Sequence, residues 1–550
     1  MMKEATETIE RDPELAVQHV SNTEPKRRDD FQRTAEDGNV QRGLKSRHIQ
    51  LIAIGGTVGT GLFIGSGGVL AETGPAPLLM SYIIMSAVVW ILTMDLAEVA
   101  SYMPIRGMTI PYLVQRFVDP SLAFAFGWNY WFAYSMIPPA EATASAVIME
   151  YWTTAVPPAA WITIIIVVCV LLNLVAVKYY GEVEFWFASI KIVAILALLL
   201  IGLVIFFGGA PTHDRIGFRY WSHPGAFKPY LLSGSAGRFL AVWDALIRAG
   251  FSYILSPELI ATAAGECQAP RRNIPKAARR YIWRLLLFYV GGALVIGAIV
   301  PHNDVRLLGA SNASASPFVI GIHNAAIPVL DHVLNAVALT AAWSAGNAQL
   351  YSASRMLYGM ACNGKAPKIF RRCNRWGVPH LAVLASSVLS LLGYLNLSSK
   401  GADVFVWLTT IITVSGMINW NIILVTYLRF RAAVRLNGIE DRLPFKSPFQ
   451  PYSTYCTLFM LSLMCITNGF AVFFPHQFNI AKFVTSYASF PIFIGLYIAH
   501  RWQNGRNKPW IMPVTELNVF SGLEEVEEIT AKDVPPVPRN IFERIWFWIC

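Results

Sequence analysis

The chain has 550 residues, of which 55% are hydrophobic and only 14% charged, and its formal net charge is +10. A soluble domain carries nearer a quarter of charged residues, so the proportions exclude an ordinary water-soluble globular protein. The seven cysteines fall in apolar runs, in basic connecting segments or at the terminus, which excludes a disulfide framework and a C-x-x-C metal site.

In chain order, residues 1–47 are polar and of mixed charge (E-P-K-R-R-D-D-F-Q-R). They are expected to form a disordered cytoplasmic tail with no signal peptide. Spanning a bilayer takes about 20 apolar residues. Twelve such runs follow, at 48–72, 77–102, 121–149, 159–177, 183–208, 238–264, 281–301, 329–359, 380–397, 403–428, 454–475 and 480–500. The expectation is an all-α integral membrane protein with a transmembrane domain over 48–502 and a cytoplasmic tail over 503–550. With the N-terminus inside, 34 Lys and Arg lie on the cytoplasmic side and five outside. That asymmetry orients the protein with both termini in the cytoplasm. The basicity is therefore topological and does not mark a nucleic-acid partner.

Span 1 contains I-A-I-G-G-T-V-G-T-G-L-F-I-G-S-G-G (52–68), seven glycines in seventeen residues. A P-loop would need Gly-Lys-Ser/Thr after its spacer, but Leu62 and Phe63 follow Gly61. Close helix packing through small residues accounts for Gly61 and Gly65. The G-T-V-G-T-G core is denser than packing requires and predicts a helix unwound around 56–61. Its second half would present free N–H groups to an anion. Span 6 carries a second interruption, F-S-Y-I-L-S-P-E (251–258), where Pro257 lacks an N–H and Glu258 sits beside it. Two interrupted spans, each first in a five-helix half, point to inverted repeats around a midplane site.

An ionisable residue inside a membrane is a functional candidate by default. Lys191 in span 5, Glu141 after Pro138-Pro139 in span 3, and Glu258 are the candidates for proton coupling; each has a structural ion pair or hydrogen bond as its alternative reading. Arg248 is expected to pair with Asp244 one turn earlier. Ser344 and Asn347 of span 8 are expected to face the core, Asn347 as either a ligand or a packing contact. No His cluster or nucleophile–base constellation is present, so neither a metal site nor an enzyme is expected. Asn312 lies in an N-A-S sequon in an outer loop.

Four stretches together carry a specific resemblance over about 43–502: the span 1 glycine motif, E-F-W-F-A-S-I-K (184–191), A-A-G-E-C-Q-A-P-R-R-N-I-P-K-A (263–277) and S-A-G-N-A-Q-L-Y-S-A-S-R-M-L (344–357). The chain resembles the fungal amino acid permeases of the amino acid–polyamine–organocation superfamily. S-P-F-V-I-G-I-H-N-A-A-I (316–327), K-A-P-K (365–368), R-W-G-V-P (375–379) and D-R-L-P-F-K (441–446) are similar to the yeast proline permeases. The resemblance implies a leucine-transporter-type fold, ten core helices in two inverted five-helix repeats plus two peripheral ones. It implies that N–H groups of Gly59, Thr60 and Gly61 receive a substrate carboxylate. Backbone carbonyls of Ile54 and of Tyr253, Ile254 and Leu255 would receive the amino group, and Ser256 would shape the side-chain pocket. It also implies that Lys191 stands where sodium-coupled relatives bind their cation, and that Cys550, after an amphipathic aromatic run, is palmitoylated; the alternative for that run is a plain interfacial helix.

The expected activity is import of amino acids with protons across the plasma membrane, without a cofactor, since no ATP motif is present. Trafficking or ubiquitin machinery would meet the tails. Where the wider family has Thr in span 6, Pro257 removes an N–H and a hydroxyl. A polar group left unpaired in a site costs about 1–3 kcal/mol, roughly 5- to 150-fold, so small neutral substrates (proline, alanine, glycine, γ-aminobutyrate) are expected over charged ones. A broad-range permease and a non-transporting amino acid receptor are the alternatives; the short N-terminal tail favours transport.

Overall fold

A computed structural model describes residues 59–104, 109–174, 177–254, 256–258, 264, 267, 269–308, 316–397, 401–506, 509–531 and 540. Every one of the twelve apolar runs contains a helix among these residues. Span 1 is a widened turn, Gly61–Gly65, that continues as Ser66–Thr73. Spans 2 to 5 are Pro75–Tyr102, Pro120–Met149, Pro158–Leu174 and Val177–Phe207. Span 6 is Gly234–Ala249 tightened at its end into Gly250–Tyr253, and span 7 runs through Pro270–Arg284, Leu285–Val290 and Gly291–Ile299. Spans 8 and 10 are the uninterrupted helices Leu330–Cys362 and Gly401–Leu436. Spans 9, 11 and 12 are His380–Val388 with Leu389–Leu397, Tyr452–Ile466, and Ile480–Tyr487 with Ser489–Asn504.

Among the described residues, six stretches are long and apolar enough to cross a membrane by length and composition: Pro75–Tyr102, Trp186–Phe207, Pro270–Ile299, His380–Leu397, Asp403–Leu436 and Ile480–Asn504. Their burial separates centre from periphery. Of the most apolar window in each, 72% is buried in Asp403–Leu436 and only 11% in Ile480–Asn504. The outward faces carry Leu171, Val193, Leu200, Leu391 and Ile492 in the open. Apolar surface on that scale is what a bilayer covers.

Span 3 lies at the middle of the bundle, packed against spans 8, 10 and 4. Its start is fixed locally: Asp119 accepts a hydrogen bond from the Leu122 N–H at 2.8 Å, and Pro120 takes the first helical position, where a missing N–H costs nothing. Arg501 of span 12 pairs with the other side of Asp119 at 3.1 Å. The helix runs through Pro138 and Pro139 without ending, and Glu141 follows in the next half turn.

Near the other end of span 2, Asp95 and Glu98 are fully buried and fully bonded. Asp95 accepts from Ser447 Oγ, Gln450 Nε2 and Thr454 Oγ1, each at 2.7 Å. Glu98 accepts from Tyr427 OH at 2.8 Å and the Ser447 N–H at 2.6 Å, and pairs with Arg431 at 3.2 Å. These contacts lock span 2 to span 10 and to the segment that leads into span 11. Beyond span 12 the chain returns to the bundle: the Met512 N–H donates to Val118 O at 3.1 Å, Arg116 reaches Asn518 O and Ser521 O, and Val519 is buried.

Candidate substrate cavity

The glycine motif of span 1 and the break in span 6 meet in space; residues 56–58 of the expected unwound stretch lie outside the described residues, and Thr60 is helical. The described part of span 1 opens at Gly59, with Thr60 capping the turn that begins at Gly61. None of the described glycines from Gly59 to Gly68 adopts a left-handed backbone, so they are not there for unusual torsions. Gly61 is there for contact. A Cβ on it would lie 2.7 Å from both Cα and Oγ of Ser252 in span 6. Span 6 leaves helical geometry at Ile254, with φ −54° and ψ 137°. Gly416 of span 10 admits that residue, since a Cβ there would come within 2.5 Å of Ile254 Cδ1.

Between the interruptions lies a small cavity. Gly59, Thr60 and Gly61 line it from span 1, Phe251, Ser252 and Ile254 from span 6, and Ile137 and Glu141 from span 3. Ala345 and Gln349 of span 8 and Ile412 of span 10 complete it. Thr60 Oγ1 donates to Glu141 Oε1 at 2.8 Å, tying the glycine motif to the carboxylate. Glu141 Oε2 and Gln349 Oε1 are buried without a hydrogen-bond partner. The wall is otherwise apolar, apart from Ser252, whose Oγ lies 2.9 Å from Tyr82 OH.

Of the sequence candidates, Gly59, Thr60, Gly61, Ile254 and Glu141 therefore share one cavity. The others stand elsewhere. Tyr253 turns away into an aromatic cluster, stacked on Tyr289 at 4.4 Å with its hydroxyl 2.9 Å from Ser86 Oγ. Its carbonyl already accepts from the N–H and Oγ of Ser256, and Ser256 Oγ accepts from Tyr281 OH at 2.8 Å. Glu258 is buried behind the break, where Trp420 Nε1 donates to it at 2.8 Å and Tyr130 and Tyr134 stand close. Lys191 is buried within electrostatic reach of Glu141. Ser344 is buried off the cavity wall, and Asn347 takes its packing role, its Oδ1 accepting from Asn173 Nδ2 at 2.8 Å. Arg248 pairs with Asp244 at 2.9 Å and also with Glu72 at 2.6 Å, closing a link between spans 6 and 1. Ile54, Leu255, Asn312 and Cys550 lie outside the described residues.

Sequence reasoning missed Phe251, Ser252, Ala345, Gln349 and Ile412. One signal was present. Ala345 and Gln349 are four apart and so share a helix face, a small residue and a polar one together, whereas Ser344 and Asn347 project from other faces.

Comparison with known proteins bears on what passes through this cavity. The family described as "Amino acid permease" matches residues 48–513. The chain is 53% identical to the proline-specific permease of Emericella nidulans over 515 residues, covering 92% of this chain and 93% of that one. It is 51% identical to a probable proline-specific permease of Schizosaccharomyces pombe, over 90% of each chain. It is 48% identical to the proline-specific permease of Saccharomyces cerevisiae, over 90% of this chain and 80% of that one.

Proposed function

The chain belongs to the amino acid permease family, and from that premise we propose a proton-coupled symporter for proline and other small neutral amino acids at the plasma membrane. It is a multi-pass membrane protein and a transporter rather than an enzyme, with proline among the amino acids it imports. In this reading the twelve spans form two inverted five-helix repeats, with spans 11 and 12 peripheral. The domain is 48–502, the tails 1–47 and 503–550 are cytoplasmic, and no cofactor takes part.

One observation carries the reading: a small cavity lined by both polar and apolar groups sits between the glycine motif of span 1 and the break in span 6, with a half-satisfied carboxylate on its wall. The N–H groups of Gly59, Thr60 and Gly61 take the substrate carboxylate, as the start of a helix favours an anion. Ile137, Phe251, Ile254 and Ile412 surround the hydrocarbon part. Glu141 is preferred to Glu258 as proton carrier because it lines the cavity and bonds to Thr60. A proton taken up on Oε2 from outside cancels a charge that is costly to carry through the bilayer. Lys191, close to Glu141, holds the place of a coupling cation and links its protonation to the closing of span 1.

The test is uptake of radiolabelled amino acids by a permease-deficient yeast expressing the full chain, scanned over twenty amino acids and γ-aminobutyrate at acidic and neutral external pH. Proline is expected to enter best and faster at acidic pH, and Lys191→Met is expected to lower uptake or flatten that pH dependence. Lysine or arginine as the strongest competitor would contradict the substrate reading. Signalling without uptake would make the protein a receptor.

A further inference from the structure

Two polar atoms on the cavity wall are left over from folding. Gln349 and Glu141 are 5% and 4% exposed, and Oε1 of the first and Oε2 of the second have no hydrogen-bond partner. An unpaired buried acceptor is destabilising and uncommon in native interiors. The partner of Glu141 through its other oxygen is known; Gln349 has no such anchor. Two positions earlier on the same helix, Asn347 Oδ1 accepts from Asn173 Nδ2. Filling space at 349 calls only for an unbranched apolar side chain such as methionine.

We propose that Gln349 is a specificity-determining residue that reads the substrate's amine: its side-chain carbonyl accepts one N–H of the substrate ammonium. This rests on the reading of the cavity as the substrate site. The carboxylate end of the substrate belongs at Gly59–Gly61, so the ammonium is the only donor a neutral amino acid has left to offer. On the described side of span 6, the carbonyls of Ser252 and Tyr253 already accept from Tyr289 OH and from Ser256. The secondary ammonium of a cyclic amino acid has two N–H groups. Gln349 Oε1 and, while the carboxyl is ionised, Glu141 Oε2 are two acceptors. A primary ammonium brings a third N–H, which needs a further acceptor, so the wall favours cyclic secondary amino acids through the nitrogen as well as through ring size.

The experiment uses the full chain in permease-deficient yeast, with surface amount measured for each variant. Radiolabelled proline uptake gives KM and maximal rate. Inhibition by cyclopentanecarboxylate, which keeps the ring and the carboxylate but lacks the nitrogen, reports contacts other than the amine. Gln349→Met is expected to raise the proline KM by about 10- to 150-fold, the worth of a hydrogen bond to a charged group. Cyclopentanecarboxylate should inhibit it as it inhibits the wild type. If that variant fails to reach the surface, Gln349→Asn, which keeps the amide but withdraws it by one methylene, should show the same selective loss. An unchanged proline KM in a surface-resident variant overturns the proposal. So does an equal loss for both ligands, which would put the amide on the carboxylate or on the fold. A wild type that carries no proline would instead overturn the substrate reading itself.

Discussion

Two pairs of buried carboxylates receive opposite treatment in this molecule. Asp95 and Glu98, where span 2 meets the segment between spans 10 and 11, have three partners each. Glu141 and Glu258, beside the interruptions of spans 1 and 6, each leave Oε2 unpartnered. A fully satisfied buried network rigidifies what it joins, whereas a half-satisfied one is a standing cost. The first pair is a clamp. The second leaves carboxylate oxygens without a partner beside the break in span 6 and the glycine motif of span 1, and of that pair Glu141 lines the cavity.

The largest effect is expected where both functions coincide. Gly61→Val places a side chain against the backbone of Ser252, so it should remove the folded protein from the surface along with uptake. Gly59→Ala is the gentler probe of the same motif, since its Cβ would meet only Ala345 Cβ at 3.9 Å and Glu141 Oε1 at 4.0 Å. It should fold, and any loss of uptake then belongs to the site. Glu98→Ala strips Arg431, Tyr427 and the Ser447 N–H of their shared acceptor. Removing one side of a buried pair costs about 3–5 kcal/mol, visible as a lowered unfolding temperature of the detergent-solubilised protein. Glu141→Gln should do the reverse, abolishing pH-dependent uptake while moving stability by no more than about 1 kcal/mol. If Glu98→Ala were harmless to stability and Glu141→Gln unfolded the protein, the contrast between clamp and site would be gone.

The apolar helices were legible because a bilayer imposes its length on apolar runs, and the break in span 6 because proline is expensive inside a helix. Thr60 is legible through the family resemblance and Glu141 as an ionisable residue inside a membrane span. What could not be read is the rotation of the chain at a break. Tyr253 is expected to offer its carbonyl; its ring turns onto those of Tyr82 and Tyr289, while Phe251 and Ser252 line the cavity. That rotation is set by distant close approaches, Gly61 on Ser252 and Gly416 on Ile254, which leave no periodic trace in the sequence. The docking of residues 512–526 was equally hidden, because its contacts are mostly to backbone carbonyls.

The smallest effect lies in the connection after span 7. Arg306 donates to both oxygens of Asp304, at 2.9 and 2.6 Å, and holds its carboxyl below the ordinary range. A depressed carboxylate pKa stabilises the fold above the unfolded-state value, and that contribution disappears as pH falls through the folded-state value. For this part-buried pair it amounts to about 1 kcal/mol. Asp304→Asn should therefore lower the unfolding temperature slightly at neutral pH and not at all in strong acid.

The central claim is that substrate completes what folding leaves unpaired at the cavity between spans 1 and 6. A structure determined with proline tests it most directly. The account predicts proline in that cavity, its carboxylate at the N–H groups of Gly59–Gly61 and its nitrogen within hydrogen-bonding distance of Gln349 Oε1 and Glu141 Oε2. Proline bound elsewhere, with both oxygens still unpartnered, would contradict it.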